Sequence, residues 1–169
     1  MKNSLFAFIA SLSLITFTGC LKNPEPQKCE FNPCGSKAPE SEIAAVRAHL
    51  AANNLTATEH CSGLFYRIEN DGTGNKPEAC SNVFANYKGM LTDGSVFDQS
   101  QPPYASFNLT GVIQGWTIGV PLIKEGGRII LYIPPSLGYG NQDRRNGQGV
   151  VVIPANSIMV FEIDLVGVR

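Results

Sequence analysis

Between Tyr87 and Phe161 short β-favouring runs alternate with glycine and proline punctuation, and only one short stretch among them is left for a helix. This spacing constrains the fold more than any other feature, because it lacks the strand–helix–strand alternation from which parallel sheets are built. Ala85-Asn86-Tyr87-Lys88-Gly89-Met90-Leu91 reads as a strand running into Thr92-Asp93-Gly94-Ser95, whose Asp-Gly pair favours a tight hairpin turn. Val96-Phe97-Asp98 begins the return strand. The run Arg128-Ile129-Ile130-Leu131-Tyr132-Ile133 is β-branched and suited to a buried strand, with Gly126-Gly127 before it and Pro134-Pro135 after it. Apolar and polar residues alternate in the second half of residues 158–165, as in a half-buried closing strand. Residues 63–68 fit a first strand and Asp71-Gly72-Thr73-Gly74 the turn after it. The pattern predicts an α+β domain.

Five aromatics, Tyr87, Phe97, Trp116, Tyr139 and Phe161, recur along this framework and suggest an aromatic-walled pocket on a small sheet. Conventional reactive groups are missing from the sequence: there is no Gly-x-Ser-x-Gly, no reduced Cys paired with His, and no carboxylate set arranged around a metal. Hydrolysis is therefore disfavoured. The net charge of −1 is spread over scattered residues, which argues against a nucleic-acid partner or an electrostatic membrane patch.

The words Tyr87-Lys88-Gly89, Val96-Phe97-Asp98, Val112-Ile113-Gln114-Gly115-Trp116, Leu137-Gly138-Tyr139-Gly140, Ile153-Pro154 and Phe161-Glu162, in this order, resemble the FKBP-type peptidyl-prolyl cis-trans isomerases over residues 63–168. The resemblance implies a strongly twisted antiparallel sheet of about five strands wrapped round one short helix beginning near Trp116. It also implies isomerisation of X-Pro bonds without a covalent intermediate or cofactor, with macrolides such as tacrolimus and rapamycin as possible ligands. The implied catalytic pocket comprises Tyr87, Phe97, Asp98, Trp116 as floor, Tyr139 and Phe161, with Val112, Ile113 and Ile153 as substrate contacts; residues 101–105 depart from the small family members, and Tyr104 would there stand in for an aromatic wall as a further substrate contact. The Ile113 N–H and the Tyr139 hydroxyl would donate to the substrate, and Asp98 would lie near the twisting carbonyl. A large aromatic ordinarily reads as core; family position makes wall residues of Phe97, Trp116 and Phe161 but leaves Phe107 as core. Asp98 has a second reading, as the partner of Arg128. Residues 141–151 form a longer polar loop than in the smallest family members and would give the pocket a polar, mobile rim.

The amino end carries a separate message. Met1-Lys2 is a short basic start, residues 5–17 are apolar apart from Ser and Thr, and Phe17-Thr18-Gly19-Cys20 resembles the lipobox of bacterial lipoprotein signals. Residues 1–19 then form a cleavable signal and Cys20 the lipidated first residue, the alternative being an ordinary secretory signal with Cys20 as a structural thiol. Leu21 in place of Asp points to the outer membrane, facing the periplasm.

Residues 20–38, rich in Pro, Lys, Asn and Glu, read as the lipidated cysteine and an extended linker. Residues 39–60 read as an N-terminal helix with its connection, leaving 61–169 as the isomerase domain. The helix is expected over 39–53, with Ile43, Val46 and Leu50 on one face; its short stripe should dock on its own domain, giving a monomer, with a dimer helix as the rival. Cys29, Cys34, Cys61 and Cys80 suggest two disulfides in an exported chain. Short loops close at the lowest entropic cost, which favours Cys29 with Cys34 and Cys61 with Cys80. Zinc is the alternative, yet no Cys-x-x-Cys pair occurs and His49 and His60 lack ligand spacing. A binding module or holdase-like chaperone with little catalysis, or a structural envelope component, is the rival function.

Overall fold

The computed structural model describes residues 29–169, so the expected signal segment, the lipobox, Cys20 and the first part of the linker lie outside the described residues. Its elements run α1 (Glu40–Ala52), β1 (Thr58–Glu59), β2 (Phe65–Asn70), β3 (Asn82–Leu91), β4 (Val96–Gln99), β5 (Ala105–Asn108), α2 (Gln114–Gly119), β6 (Arg128–Ile133), β7 (Arg144–Arg145), β8 (Val151–Ile153) and β9 (Met159–Val168). Seven strands form one sheet in the order β1-β2-β6-β9-β3-β4, with β5 also on β3, and every pairing is antiparallel. The expected α+β class holds, and the sheet exceeds the expected five strands because β1 adds an edge on β2 and β3 is long enough to carry two partners on one side. Its first half pairs with β5 and its second half with β4.

The expected Asp-Gly hairpin joins β3 to β4, with the Leu91 N–H donating to the Ser95 carbonyl at 2.9 Å. In β9 the alternation read from sequence is real: Met159, Phe161, Ile163 and Leu165 are buried and the residues between them are partly exposed. The uninterrupted run Ile129–Ile133 of β6 is buried throughout, because both faces of this strand are covered. On one face lies α2. Cβ atoms added at Gly115 and Gly119 would come within 2.7 Å of Ile133 and 2.6 Å of Leu131, so only glycine lets this helix press so closely on the sheet.

The other face is covered by α1. The Arg47 guanidinium lies 6.0 Å from the Phe65 ring centroid, and the His49 ring 6.4 Å from that of Tyr132, the cross-strand partner of Phe65. Ile43, Val46 and Leu50 are buried as expected, and the helix docks on its own domain. Beside it the outward side chains of the sheet form an ion cluster in which Arg128 reaches Glu69, Glu162 and Asp164 at 2.8–2.9 Å. Asp98 is therefore not the partner of Arg128.

The disulfide pairing differs from the expected one. Cys29 bonds to Cys80 and Cys34 to Cys61, with Cα separations of 5.7 and 5.4 Å. Loop-closure entropy favoured the short loops, but it changes slowly with length. Folding brings 29–38 back along the domain, where Phe31 packs against the core and the Ala38 N–H donates to the Ser62 carbonyl. This part of the expected linker is thus stapled down rather than extended. Digestion without reduction should yield peptides joining Cys29 to Cys80 and Cys34 to Cys61, and a Cys29–Cys34 peptide would contradict the fold. The pair Cys29→Ser with Cys80→Ser should lower unfolding free energy by about 2–5 kcal/mol in denaturant titration.

Candidate functional site

Ile113 immediately precedes helix α2 and its carbonyl accepts the Trp116 N–H at 2.9 Å, while the helix is held at its flank by the buried Thr117 hydroxyl donating to the Leu109 carbonyl at 2.7 Å. Trp116, facing the sheet from this short helix, is 4% exposed. Three rings meet it edge-on: Tyr87 from β3 at 5.2 Å, Phe107 from β5 at 5.2 Å and Phe161 from β9 at 5.5 Å. Tyr87 also meets Phe107 at 5.6 Å in a T-shaped pair. The quadrupoles of the rings favour this arrangement, and each good pair adds about 0.5–1.5 kcal/mol beyond burial.

Above these rings opens a cavity of about 600 Å³. Its apolar side comes from Tyr87, Phe107, Val112, Ile113, Trp116 and Phe161, and its polar side from Asp98, Gln114, Ser136, Tyr139 and Arg144. Asp98 stands opposite Gly89 in the β3–β4 ladder and accepts the Tyr87 hydroxyl hydrogen at 2.8 Å on Oδ2. A Cβ at Gly89 would lie 2.7 Å from Phe97 and 2.8 Å from Phe161, so glycine here lets the two rings close over the strand. Burial first, then the hydrogen bond to Asp98 and its negative charge, pushes the Tyr87 phenol well above its ordinary range.

Two groups expected to orient a ligand have no partner among the described residues. The Ile113 N–H donates to nothing, and the Tyr139 hydroxyl makes no hydrogen bond. The Trp116 indole N–H is also buried without an acceptor there. Tyr139 follows the short helical turn Pro135–Leu137, which α1 anchors: the Ser136 N–H donates to Glu42 Oε2 at 2.8 Å. The extra N-terminal helix therefore supports the loop that carries a cavity residue.

Of the expected residues, Tyr87, Asp98, Val112, Ile113, Trp116, Tyr139 and Phe161 line one cavity. Phe97 does not line it but backs Phe161, edge to face at 5.5 Å. Tyr104 is 43% exposed and packs on Phe84 at 5.2 Å, away from the cavity, because its neighbour Ala105, not Tyr104, shares the inward face of β5 with Phe107. Ile153 is buried in β8 and does not line the cavity either. Phe107, read as core, is part of the wall; the period-two alternation of β5 is the signal that would have found it. Arg144 had no such signal. Within the polar rim expected over 141–151, β7 pairs with β8 as a hairpin whose turn is held by Asn146.

Residues 73–166 match the family model described as FKBP-type peptidyl-prolyl cis-trans isomerase. The FKBP-type peptidyl-prolyl cis-trans isomerase FkpA of Escherichia coli is 44% identical over 159 residues, covering 93% of this chain and 55% of the relative. That of Aeromonas hydrophila is 40% identical over 127 residues, covering 72% of this chain and 44% of its own length. The chain thus spans about half the length of these curated relatives. Among solved structures, Escherichia coli FkpA gives a TM-score of 0.65 at 37% identity, covering 77% of this chain and 60% of that one. A peptidyl-prolyl cis-trans isomerase of Pseudomonas syringae pv. tomato gives 0.64 at 33% identity, covering 80% of this chain and 99% of that one.

Because the folded state favours the neutral Tyr87 phenol, the stability tied to it is present below the ordinary phenol pKa of about 10 and is lost as pH rises beyond it. In an alkaline absorbance titration, Tyr87→Phe should remove an ionisation step lying above the ordinary range; removal of a step near pH 10 would refute the buried, Asp98-bonded phenol.

Proposed function

The chain belongs to the FKBP-type peptidyl-prolyl cis-trans isomerase family, and from that membership we propose that it isomerises X-Pro bonds in the cavity floored by Trp116. The observation that carries this reading is the conjunction at one cavity of an apolar aromatic floor, two donors without a partner among the described residues and a carboxylate held by a neighbouring phenol.

The barrier to be lowered is the loss of amide resonance, about 18–20 kcal/mol, with no bond made or broken to a protein group. A prolyl ring seated against Trp116, Tyr87, Phe107 and Phe161 moves its imide carbonyl out of water. Hydration favours the planar, charge-separated amide, so its removal favours the twisted state. The Ile113 N–H and the Tyr139 hydroxyl orient the substrate backbone, limiting the geometries that must be searched. Asp98 presents its charge to the carbonyl carbon as the bond twists. It is not a general base in this scheme, since no proton moves in the reaction.

Exported proteins are the proposed clients, and macrolides that mimic a prolyl peptide are candidate ligands. The proposed location is the bacterial envelope, anchored through lipid on Cys20, outer membrane and facing the periplasm. The small-residue sequence before Cys20 and two disulfides, which persist in oxidising compartments, support this location. Among the described residues no helix is long and apolar enough to cross a membrane.

A soluble form starting after Cys20 should accelerate isomerisation of short X-Pro peptides, and Trp116→Phe should lower kcat/KM by about tenfold, equivalent to about 1.4 kcal/mol of transition-state stabilisation. A folded, disulfide-intact protein with no acceleration would move the function to peptide binding. In membrane fractionation of the full chain, Cys20→Ser should shift the protein from the membrane to the soluble fraction, and an unchanged distribution would reject the lipid anchor.

A further inference from the structure

The cavity contains one cation that the isomerase scheme leaves unused. Arg144, on β7, places its guanidinium carbon 4.6 Å from the centroid of the Tyr139 ring and lines the cavity mouth. Its backbone is fixed by pairing with Ile153 across the hairpin. The preceding Asp143 is anchored as well, accepting the Ala155 N–H at 2.9 Å on Oδ1.

Arg145, the adjacent residue, is committed within the hairpin, donating to the Gly149 carbonyl at 2.9 Å and to Asp143 at 3.3 Å. Arg128 is neutralised by three carboxylates on the far side of the sheet. Arg144, by contrast, has no carboxylate at ion-pair distance among the described residues. Packing over the Tyr139 ring holds the guanidinium at the cavity mouth, and its N–H fork suits a planar carboxylate. The other charge lining the cavity, Asp98, is held by the Tyr87 hydroxyl. The mouth therefore presents a positive group beside the ring that would orient the substrate.

The geometry assigns to Arg144 a carboxylate-binding subsite, so that the protein prefers X-Pro segments carrying an acidic side chain next to the proline. This assignment rests on the isomerase reading and names a substrate class for the same cavity. The cation is exposed, so its selectivity is modest and screened by salt.

The test uses short peptides capped at both ends, with Glu or Gln immediately before or immediately after proline, so that the glutamyl side chain is the only carboxylate. Glu should exceed Gln in kcat/KM by about two- to fivefold at one of the two positions, the range of an exposed ion pair. The ratio should fall to one in high salt and in Arg144→Gln, and Arg144→Lys, which keeps charge but loses the bidentate fork, should give an intermediate ratio. Equal turnover of Glu and Gln peptides would overturn the subsite while leaving isomerase activity intact. A preference that persisted in Arg144→Gln would overturn it too, because the carboxylate would then be read elsewhere. Absence of turnover for every peptide would instead remove the isomerase reading on which the assignment rests.

Discussion

The close approach of α2 to the sheet is the constraint on which the rest depends. Gly115 and Gly119 let the helix settle on Ile133 and Leu131, and this depth puts Trp116 within edge-on reach of rings from three different strands. A side chain at either glycine would lift the helix by meeting branched residues at under 3 Å. The cavity floor would then separate from its walls. Packing and site geometry are thus one fact, since the interior is too dense to absorb such a shift locally.

On the opposite face the same sheet is sealed by α1, while the segment that leads into it, residues 29–33, lies on the α2 side beside Thr117, Ile118 and Leu122. Arg47 and His49 lie over Phe65 and Tyr132, while the two disulfides fasten residues 29 and 34 to positions 80 and 61. The covering is not passive. Glu42 of α1 holds the Ser136 N–H, so a helix on the outer face steadies the turn from which Tyr139 enters the cavity. A chain of packed and hydrogen-bonded groups consequently joins the N-terminal segment to the cavity rim, and Arg144, packed over Tyr139, extends it to the hairpin above.

Much of this architecture was legible in the sequence. Asp93-Gly94 announced the first hairpin, the unbroken apolar run of β6 announced a strand covered on both faces, and alternation in β9 announced which side chains point inward. Tyr87, Asp98, Ile113, Trp116, Tyr139 and Phe161 were recognised from the words around them, and they line one cavity. The reading failed where a side chain's direction hinged on one residue of strand register. Tyr104 lies just outside β5 and turns to Phe84, whereas Phe107, two residues beyond Ala105, faces Trp116.

What the sequence determined by itself was the local part: turns, strand periodicity, the apolar stripe of α1, and the family whose words it carries. These follow from backbone sterics and from the spacing of apolar residues, which act over a few positions. Only the tertiary structure decided which cysteines bond, which three acids Arg128 binds, that Phe107 joins the wall, and that Arg144 rather than Arg145 stands over Tyr139. The directions of Phe107 and Arg144 follow from the strand pairing of β5 and β7, and the cysteine pairs and the Arg128 cluster depend on segments far apart in the chain arriving within a few ångströms of each other. The whole sheet sets that distance, and no local propensity encodes it.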